Sequence, residues 1–262
     1  MDRIDIAPRE VVDLKGVLVD VPRADDAETT PQGTPDLVAE SVEVTWQGTL
    51  VRCRARDASK GLPTEVRVKA IGEVFAENAL AALLGAVAAG VPPEAARKAI
   101  AYAPPPPGRF EVVSARPWVV VDYAHSPDAL ARTVTTAKRL AADGGGKLAV
   151  VFGAGGKRDK AKRAPMGEAA RPANVVVLTS DNPRDEDPAD IARAIAEGLK
   201  GHPDVRTQLD RRRAIIDTIR KADAKDVILL AGKGHETDQT IGAETKRLSD
   251  AEVAIGAIAA RQ

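Results

Sequence analysis

Beyond the run Ala103-Pro104-Pro105-Pro106-Pro107-Gly108 the chain alternates short apolar runs with helical patterns, and this alternation limits its fold more than any other feature. The apolar runs fall at 118–122, 147–153, 174–179, 204–208 and 226–231, and the helical patterns at 127–141, 161–171, 188–199, 211–221 and 249–260. A strand covered on both faces reads as an unbroken Val/Ile/Leu run, and a helix between two such strands carries the chain back to a parallel neighbour. The expectation is an α/β fold: a C-terminal, Rossmann-like, mostly parallel sheet with helices on both faces. Consecutive prolines hold an extended, semi-rigid conformation, so a domain boundary is placed between residues 106 and 107.

Upstream of the prolines the pattern is different. Val42, Val44 and Trp46 alternate with polar residues, Gly48 turns the chain, Leu50 to Arg56 runs extended and Val66 to Val68 adds a short strand, which predicts a small antiparallel sheet. Glu77 to Gly90 is alanine-rich and helical, and Glu94 to Ala101 gives a second helix. Residues 37–106 therefore read as a smaller α+β part. Residues 1–36 show no strong periodicity, and Pro22 to Pro35 has no apolar face to bury, so this stretch is expected to be a flexible lead-in.

Composition narrows the partners. The 38 basic and 38 acidic residues cancel, leaving no long-range pull toward nucleic acid or anionic lipid, so an anion must be held by a local pocket. Aromatics are 3% of the chain, which weakens any base-stacking role. Cys53 is the single cysteine, and with no long apolar span a reducing cytoplasm and no membrane insertion are expected. Cys53, Trp46 and Trp118 read as packing residues.

Three of the apolar runs end in polar clusters: Asp122-Tyr123-Ala124-His125, Ser180-Asp181-Asn182-Pro183-Arg184 and Gly232-Lys233-Gly234-His235-Glu236. Ligands of open α/β sheets bind at the carboxyl ends of strands, so these clusters are the candidate site. Gly153 to Gly156 alone reads as a turn; Lys157-Arg158-Asp159 after it adds charge. Lys157, Lys160, Lys162 and Arg163 read as a solvated loop, and Arg211-Arg212-Arg213 as the solvated first turn of a helix capped by Asp210. His235 reads as a hydrogen-bonded structural histidine.

Taken in order with Gly108-Arg109-Phe110-Glu111 and Phe152-Gly153-Ala154-Gly155-Gly156-Lys157-Arg158-Asp159, these clusters resemble the Mur ligase family from about Leu37 to the C-terminus, and within it the diaminopimelate-adding branch. The resemblance implies an ATP-dependent acid:amino-acid ligase that adds meso-diaminopimelate to UDP-N-acetylmuramoyl-L-alanyl-D-glutamate in peptidoglycan synthesis. Residues 37–106 would be the rear of the central domain and 107–262 the C-terminal domain. Asp181, Asn182, Pro183 and Arg184 match the diaminopimelate signature. Arg158, Gly232 and Glu236 match further positions around that amino acid. A guanidinium fork pairs bidentately with a carboxylate, which suits Arg184 to the ligand's distal end. Arg109, Asp122, Asn78 and His125 match positions on the nucleotide side, with Asp122 expected to accept ribose hydroxyls. Lys233 is expected only to balance nearby charge.

ATP and Mg²⁺ are the implied cofactors. No Gly-x-x-x-x-Gly-Lys-Ser/Thr loop occurs in the 262 residues, and Gly72-Glu73-Val74-Phe75-Ala76-Glu77-Asn78 keeps only the second of the family's two adenine-side asparagines. The expectation is a chain whose phosphate loop and Mg²⁺ ligands would precede residue 1, inactive alone. Two rivals stand beside it. One is a non-catalytic paralogue that binds diaminopimelate or cell-wall fragments, or a half-enzyme completed by a separate chain carrying the phosphate loop. The other is a generic dinucleotide-binding protein, against which the missing Gly-x-Gly-x-x-Gly argues.

Overall fold

A computed structural model describes residues 9–14, 17–22, 36–157 and 159–261. The chain divides into two compact units, Met1–Pro105 and Pro106–Gln262.

The first unit is a five-stranded sheet of order β1-β2-β3-β4-β5, built from β1 (Arg9–Leu14), β2 (Val17–Pro22), β3 (Leu37–Thr45), β4 (Gly48–Ala55) and β5 (Glu65–Val68). Only the β2–β3 pair is parallel. Helix α1 (Glu73–Ala88) lays Ala76, Leu80 and Leu83 on Leu37, Val51 and Val66 of the sheet, and α2 (Pro93–Tyr102) packs beside it. Helix α1 begins four residues before the alanine-rich run. Gly72, at φ 136, turns the chain into it, and Glu73 places a carboxylate in the positive first turn. Cys53 is buried in β4, and burial together with the charge of Glu40 pushes its thiol up to about 11. That is the inert packing residue its strand position implied.

Strands β1 and β2 correct the reading of residues 1–36 as one flexible lead-in. Val17-Leu18-Val19-Asp20-Val21 carries the β-branched alternation of a strand, a signal too short to stand out beside the polar stretch that follows. Asp36, at the end of that lead-in, is buried and accepts from Arg56 and Lys60, and the rest of it lies outside the described residues.

In the second unit six strands take the order β10-β9-β8-β11-β7-β6: β6 (Glu111–Ala115), β7 (Trp118–Asp122), β8 (Leu148–Phe152), β9 (Val175–Leu178), β10 (Val205–Thr207) and β11 (Val227–Ala231). All neighbours are parallel except the edge pair β6–β7. The helices are α3 (Pro127–Asp143), α4 (Arg163–Ala169), α5 (Pro188–Ala196), α6 (Arg211–Lys221) and α7 (Asp250–Ala259), and a hairpin of β12 (Asp238–Ile241) and β13 (Glu244–Arg247) precedes α7. The alternation read from the sequence is thus realised. Four helix starts are written locally, with side chains of Ser126, Asp187, Asp210 and Ser249 accepting a first-turn N–H, and Pro127 and Pro188 at first helical positions.

The core contains β-branched and leucine side chains of β7, β8 and β11, including Val119, Val121, Val151, Ile228 and Leu230, facing Ile215 and Ile219 of α6 and Val253 of α7. Neither tryptophan belongs to a core: Trp46 and Trp118 are half-buried, each at a strand end or turn where a large ring reaches solvent. No helix among the described residues is long and apolar enough to cross a membrane.

Candidate ligand-binding site at the carboxyl edge of the sheet

Because β7, β8, β9 and β11 are parallel neighbours, their carboxyl ends share one edge, and residues 122–125, 153–157, 180–184 and 232–236 meet there. Glycine permits the closest approach. A Cβ on Gly156 would stand 1.9 Å from the Pro183 carbonyl oxygen, and the Gly156 N–H donates to the Asn182 carbonyl at 2.9 Å. The loop after β8 thus lies directly on Asn182-Pro183-Arg184.

Arg184 takes a left-handed backbone, φ 53, uncommon and mildly costly for a residue with a Cβ. Its Nη1 donates to Gly156 O at 2.7 Å and, longer, to Asn182 O at 3.5 Å. No described residue takes its Nε or Nη2, so the side chain is anchored at one nitrogen with its two-pronged edge open.

Glu236 provides the opposite charge. Its Oε2 accepts from Asn182 Nδ2 and from Lys233 Nζ, both at 3.1 Å, while Oε1 receives no described donor. Asn182 Oδ1 accepts the Thr240 N–H at 2.9 Å. Asn182, expected to grasp a ligand directly, is therefore a tether between Glu236 and the hairpin, with one amide hydrogen to spare. Lys233 does more than balance charge. It is fully buried, and Nζ also donates to the Asp238 carbonyl at 2.5 Å. Gly232, at φ 109, leaves room for the Asp181 carboxylate, which would lie 2.9 Å from a Cβ there.

Arg211 overturns the solvated reading of the triple arginine. It is fully buried and pairs through Nε and Nη2 with Asp250 at 2.8 and 2.6 Å. It also donates to Ala231 O at 2.9 Å and, more weakly, to Ser180 O at 3.4 Å. Those carbonyls immediately precede Gly232 and Asp181. Arg212 and Arg213 remain exposed, as expected of a helix's outer face.

Arg163 departs from its reading in the same way. It is buried, and Nη2 donates to Glu186 Oε2 at 3.0 Å. Glu186 also accepts the Lys157 N–H and draws Lys160, and Lys157 Nζ pairs with Asp185. Arg163 pins the basic loop to the segment after Arg184, while the side chains of Lys157 and Lys160 stay exposed, as the solvated reading expected. The Lys157 N–H, then Arg163, hold the Glu186 carboxyl at about 2, below its ordinary 4.5. A depressed carboxyl stabilises the fold above its unfolded value and loses that contribution as pH falls toward its folded one. Melting temperature should therefore fall between about pH 4.5 and 2, more steeply for wild type than for Glu186→Gln. Equal acid slopes would mean the clamp does not form.

On the β7 side lies Asp122. Its oxygens accept the Phe110 N–H at 2.7 Å, the Ala124 N–H at 2.8 Å and the Thr133 hydroxyl at 3.2 Å. Burial raises its pKa, and these bonds oppose the rise. The carboxylate braces the turn, a role beyond the one expected of it. Arg109 is exposed over the Tyr123 ring, 4.5 Å from its centroid. His235 is also exposed and stacks on Tyr123 at 5.4 Å, which replaces the hydrogen-bonded role expected of it. His125 contacts the same ring edge-on at 4.8 Å, and its Nδ1 lies 3.0 Å from Tyr123 O. Gly108, at φ 65, lets this turn close: a Cβ there would stand 2.2 Å from the His235 nitrogen. An exposed cation over an aromatic ring suits a nucleotide.

Asn78 is exposed on α1 in the first unit, and Arg158 lies outside the described residues. Among the described residues no cluster of three or more His, Cys, Asp or Glu is arranged to hold a metal ion.

Residues 108–234 match the family model described as Mur ligase, glutamate ligase domain. The chain is 41% identical over 234 residues to the UDP-N-acetylmuramoyl-L-alanyl-D-glutamate--2,6-diaminopimelate ligase of Acidovorax sp. (strain JS42), covering 88% of this chain and 46% of that protein. It is 42% identical over 226 residues to the Bacillus velezensis protein of the same name, covering 85% and 44%. A solved structure of a ligase of that name superposes with a TM-score of 0.61 at 35% identity, over 88% of this chain and 46% of the other. The fold alone is shared with a Thermotoga maritima UDP-N-acetylmuramate-alanine ligase, at a TM-score of 0.65 and 17% identity. The chain spans about half the length of the curated relatives it matches.

Proposed function

Since the chain belongs to the Mur ligase family, whose members are ATP-dependent amide ligases, we propose that its carboxyl-edge site holds meso-diaminopimelate for ligation to UDP-N-acetylmuramoyl-L-alanyl-D-glutamate. One observation carries this reading. The open Nε/Nη2 edge of Arg184 and the open Oε1 of Glu236 stand on either side of Asn182, which hydrogen-bonds Glu236 and whose carbonyl meets Arg184. A carboxylate and an ammonium on one carbon, the distal end of diaminopimelate, complement that pair. The two tightly similar relatives carry names that specify the same amino acid.

In this reading Arg184 receives the distal carboxylate and Glu236 the ammonium. Asp181, Asn182, Pro183 and Gly232 shape the pocket between them, and Arg158 adds a second cation. Holding the distal end fixes the other amino group for attack on an activated carboxyl, an advantage of orientation rather than of acid–base chemistry. ATP would supply the activation through an acyl phosphate. Arg109 and Tyr123, with His125 beside them, would take part of the nucleotide. Asp122 would serve by holding the turn. Mg²⁺ belongs to the proposal through the family's chemistry alone. The comparisons lend no support to a separate chain carrying the phosphate loop.

Titration calorimetry on this chain tests the reading. It should bind meso-diaminopimelate and bind L-lysine at least about 10-fold more weakly, because lysine leaves the guanidinium without its distal carboxylate. Equal affinity for the two, or no affinity for diaminopimelate, would overturn it.

A further inference from the structure

We propose that Gln239 is a positioning residue that sets the conformation of the Ser180–Arg184 loop, so that ligand recognition depends on the β12–β13 hairpin. This rests on the site reading above and extends it to a residue outside the pocket.

The side chain of Gln239 is buried, and its Nε2 donates to the Asp181 carbonyl at 2.7 Å and the Ser180 carbonyl at 3.3 Å. Two carbonyls can only accept, so the amide nitrogen alone satisfies this position. The hairpin then reaches three further points of the loop. Thr240 N–H donates to Asn182 Oδ1, Arg184 N–H donates to Thr240 O at 3.2 Å, and Gly242 N–H donates to Arg184 O at 2.6 Å. An isolated bridge aligns Arg184 with Ile241. A left-handed arginine persists only where its surroundings over-determine it. Here the backbone before it is held by Gln239 and the residue itself is held on both sides by the hairpin.

The loop has other supports at its remaining residues: Ser180 Oγ donates to Leu209 O at 2.7 Å, Arg211 reaches Ser180 O at 3.4 Å, Gly156 N–H reaches Asn182 O at 2.9 Å, Asn182 Nδ2 reaches Glu236, Arg184 Nη1 reaches Gly156 O and Glu186 N–H reaches Pro183 O. No other described side chain donates to Asp181 O. Removing the Gln239 amide leaves that buried carbonyl unpaired and frees the chain just before Asn182.

The test uses Gln239→Met, which keeps length and volume without the donor, beside Ile219→Val, a core change distant from the loop. Hydrogen exchange is read first, on the apo chain. Gln239→Met should exchange at least about 10-fold faster across 180–184 and 238–242 than wild type, with α3 and α6 unchanged, whereas Ile219→Val should show no such focus. Calorimetry is read second. Gln239→Met should weaken meso-diaminopimelate binding about 10-fold or more, and Ile219→Val should leave it as in wild type despite a lowered melting temperature. Unchanged exchange in the loop, or unchanged affinity with exchange raised, overturns the proposal. If wild type binds no diaminopimelate while the loop-focused exchange appears, positioning stands and the ligand assignment falls. Should the methionine variant fail to fold, Gln239→Glu, with a carboxylate facing the two carbonyls, supplies the same exchange readout.

Discussion

Arg184→Ala should bind meso-diaminopimelate about 30-fold more weakly than wild type, a loss of about 2 kcal/mol for a carboxylate left without its charged partner. The backbone argument makes this a clean substitution. Alanine keeps the Cβ, so the cost of the left-handed conformation is common to both proteins. The fold loses the Nη1 bond to Gly156 O and the longer one to Asn182 O, about 1 kcal/mol together, or a few degrees of melting temperature for a unit of this size. Affinity should therefore change far more than stability. Arg184→Lys should recover little of it, because a point charge cannot offer the two-pronged edge. Calorimetry beside a thermal melt separates the two effects; a variant that binds like wild type would remove Arg184 from the pocket.

The largest change in stability should come from a residue that touches no ligand. Arg211→Met leaves the carboxylate of Asp250 fully buried without its partner, a loss of about 3–5 kcal/mol and on the order of 10 °C in melting temperature. Pairing it with Asp250→Leu should restore part of that, since an apolar pair of similar volume often replaces a buried ion pair at little cost. Full restoration is not expected, because the Ala231 carbonyl still lacks its donor. Melts of the two single variants and the double variant decide the matter: additive losses would mean the two groups do not interact.

The framework of the second unit is plain in the sequence because its strands are covered on both faces. Val119 to Val121 and Ile228 to Leu230 need an apolar side chain at every position, and the capping residues before the helices are local. Strand β6 escaped because Glu111–Ala115 is a half-buried edge with no sharp pattern. The β12–β13 hairpin escaped for a related reason: Glu244–Arg247 is wholly exposed, and the value of β12 lies in backbone bonds to Arg184, which composition does not register. Within the candidate site, strand-end position singled out Arg184 and Glu236 as candidates, and the fold brings their segments to one sheet edge. Position could not reveal which side chains turn inward. Arg211 and Asp250 meet across 39 residues of chain, and three arginines in a row look solvated until the partner is placed. Asp122 also has a structural role that strand-end position did not show, since it accepts the N–H groups of Phe110 and Ala124 around its own turn.

Arg211 also bears on how this protein could be redesigned. One guanidinium grips the residues preceding both Asp181 and Gly232, so the two loops are yoked like oars on a single bench. Substitutions spread across them should show epistasis, the outcome in one loop depending on what has been changed in the other. Grafting a relative's loop onto this scaffold to alter its amino-acid choice would then require moving the yoke and its buried carboxylate as well.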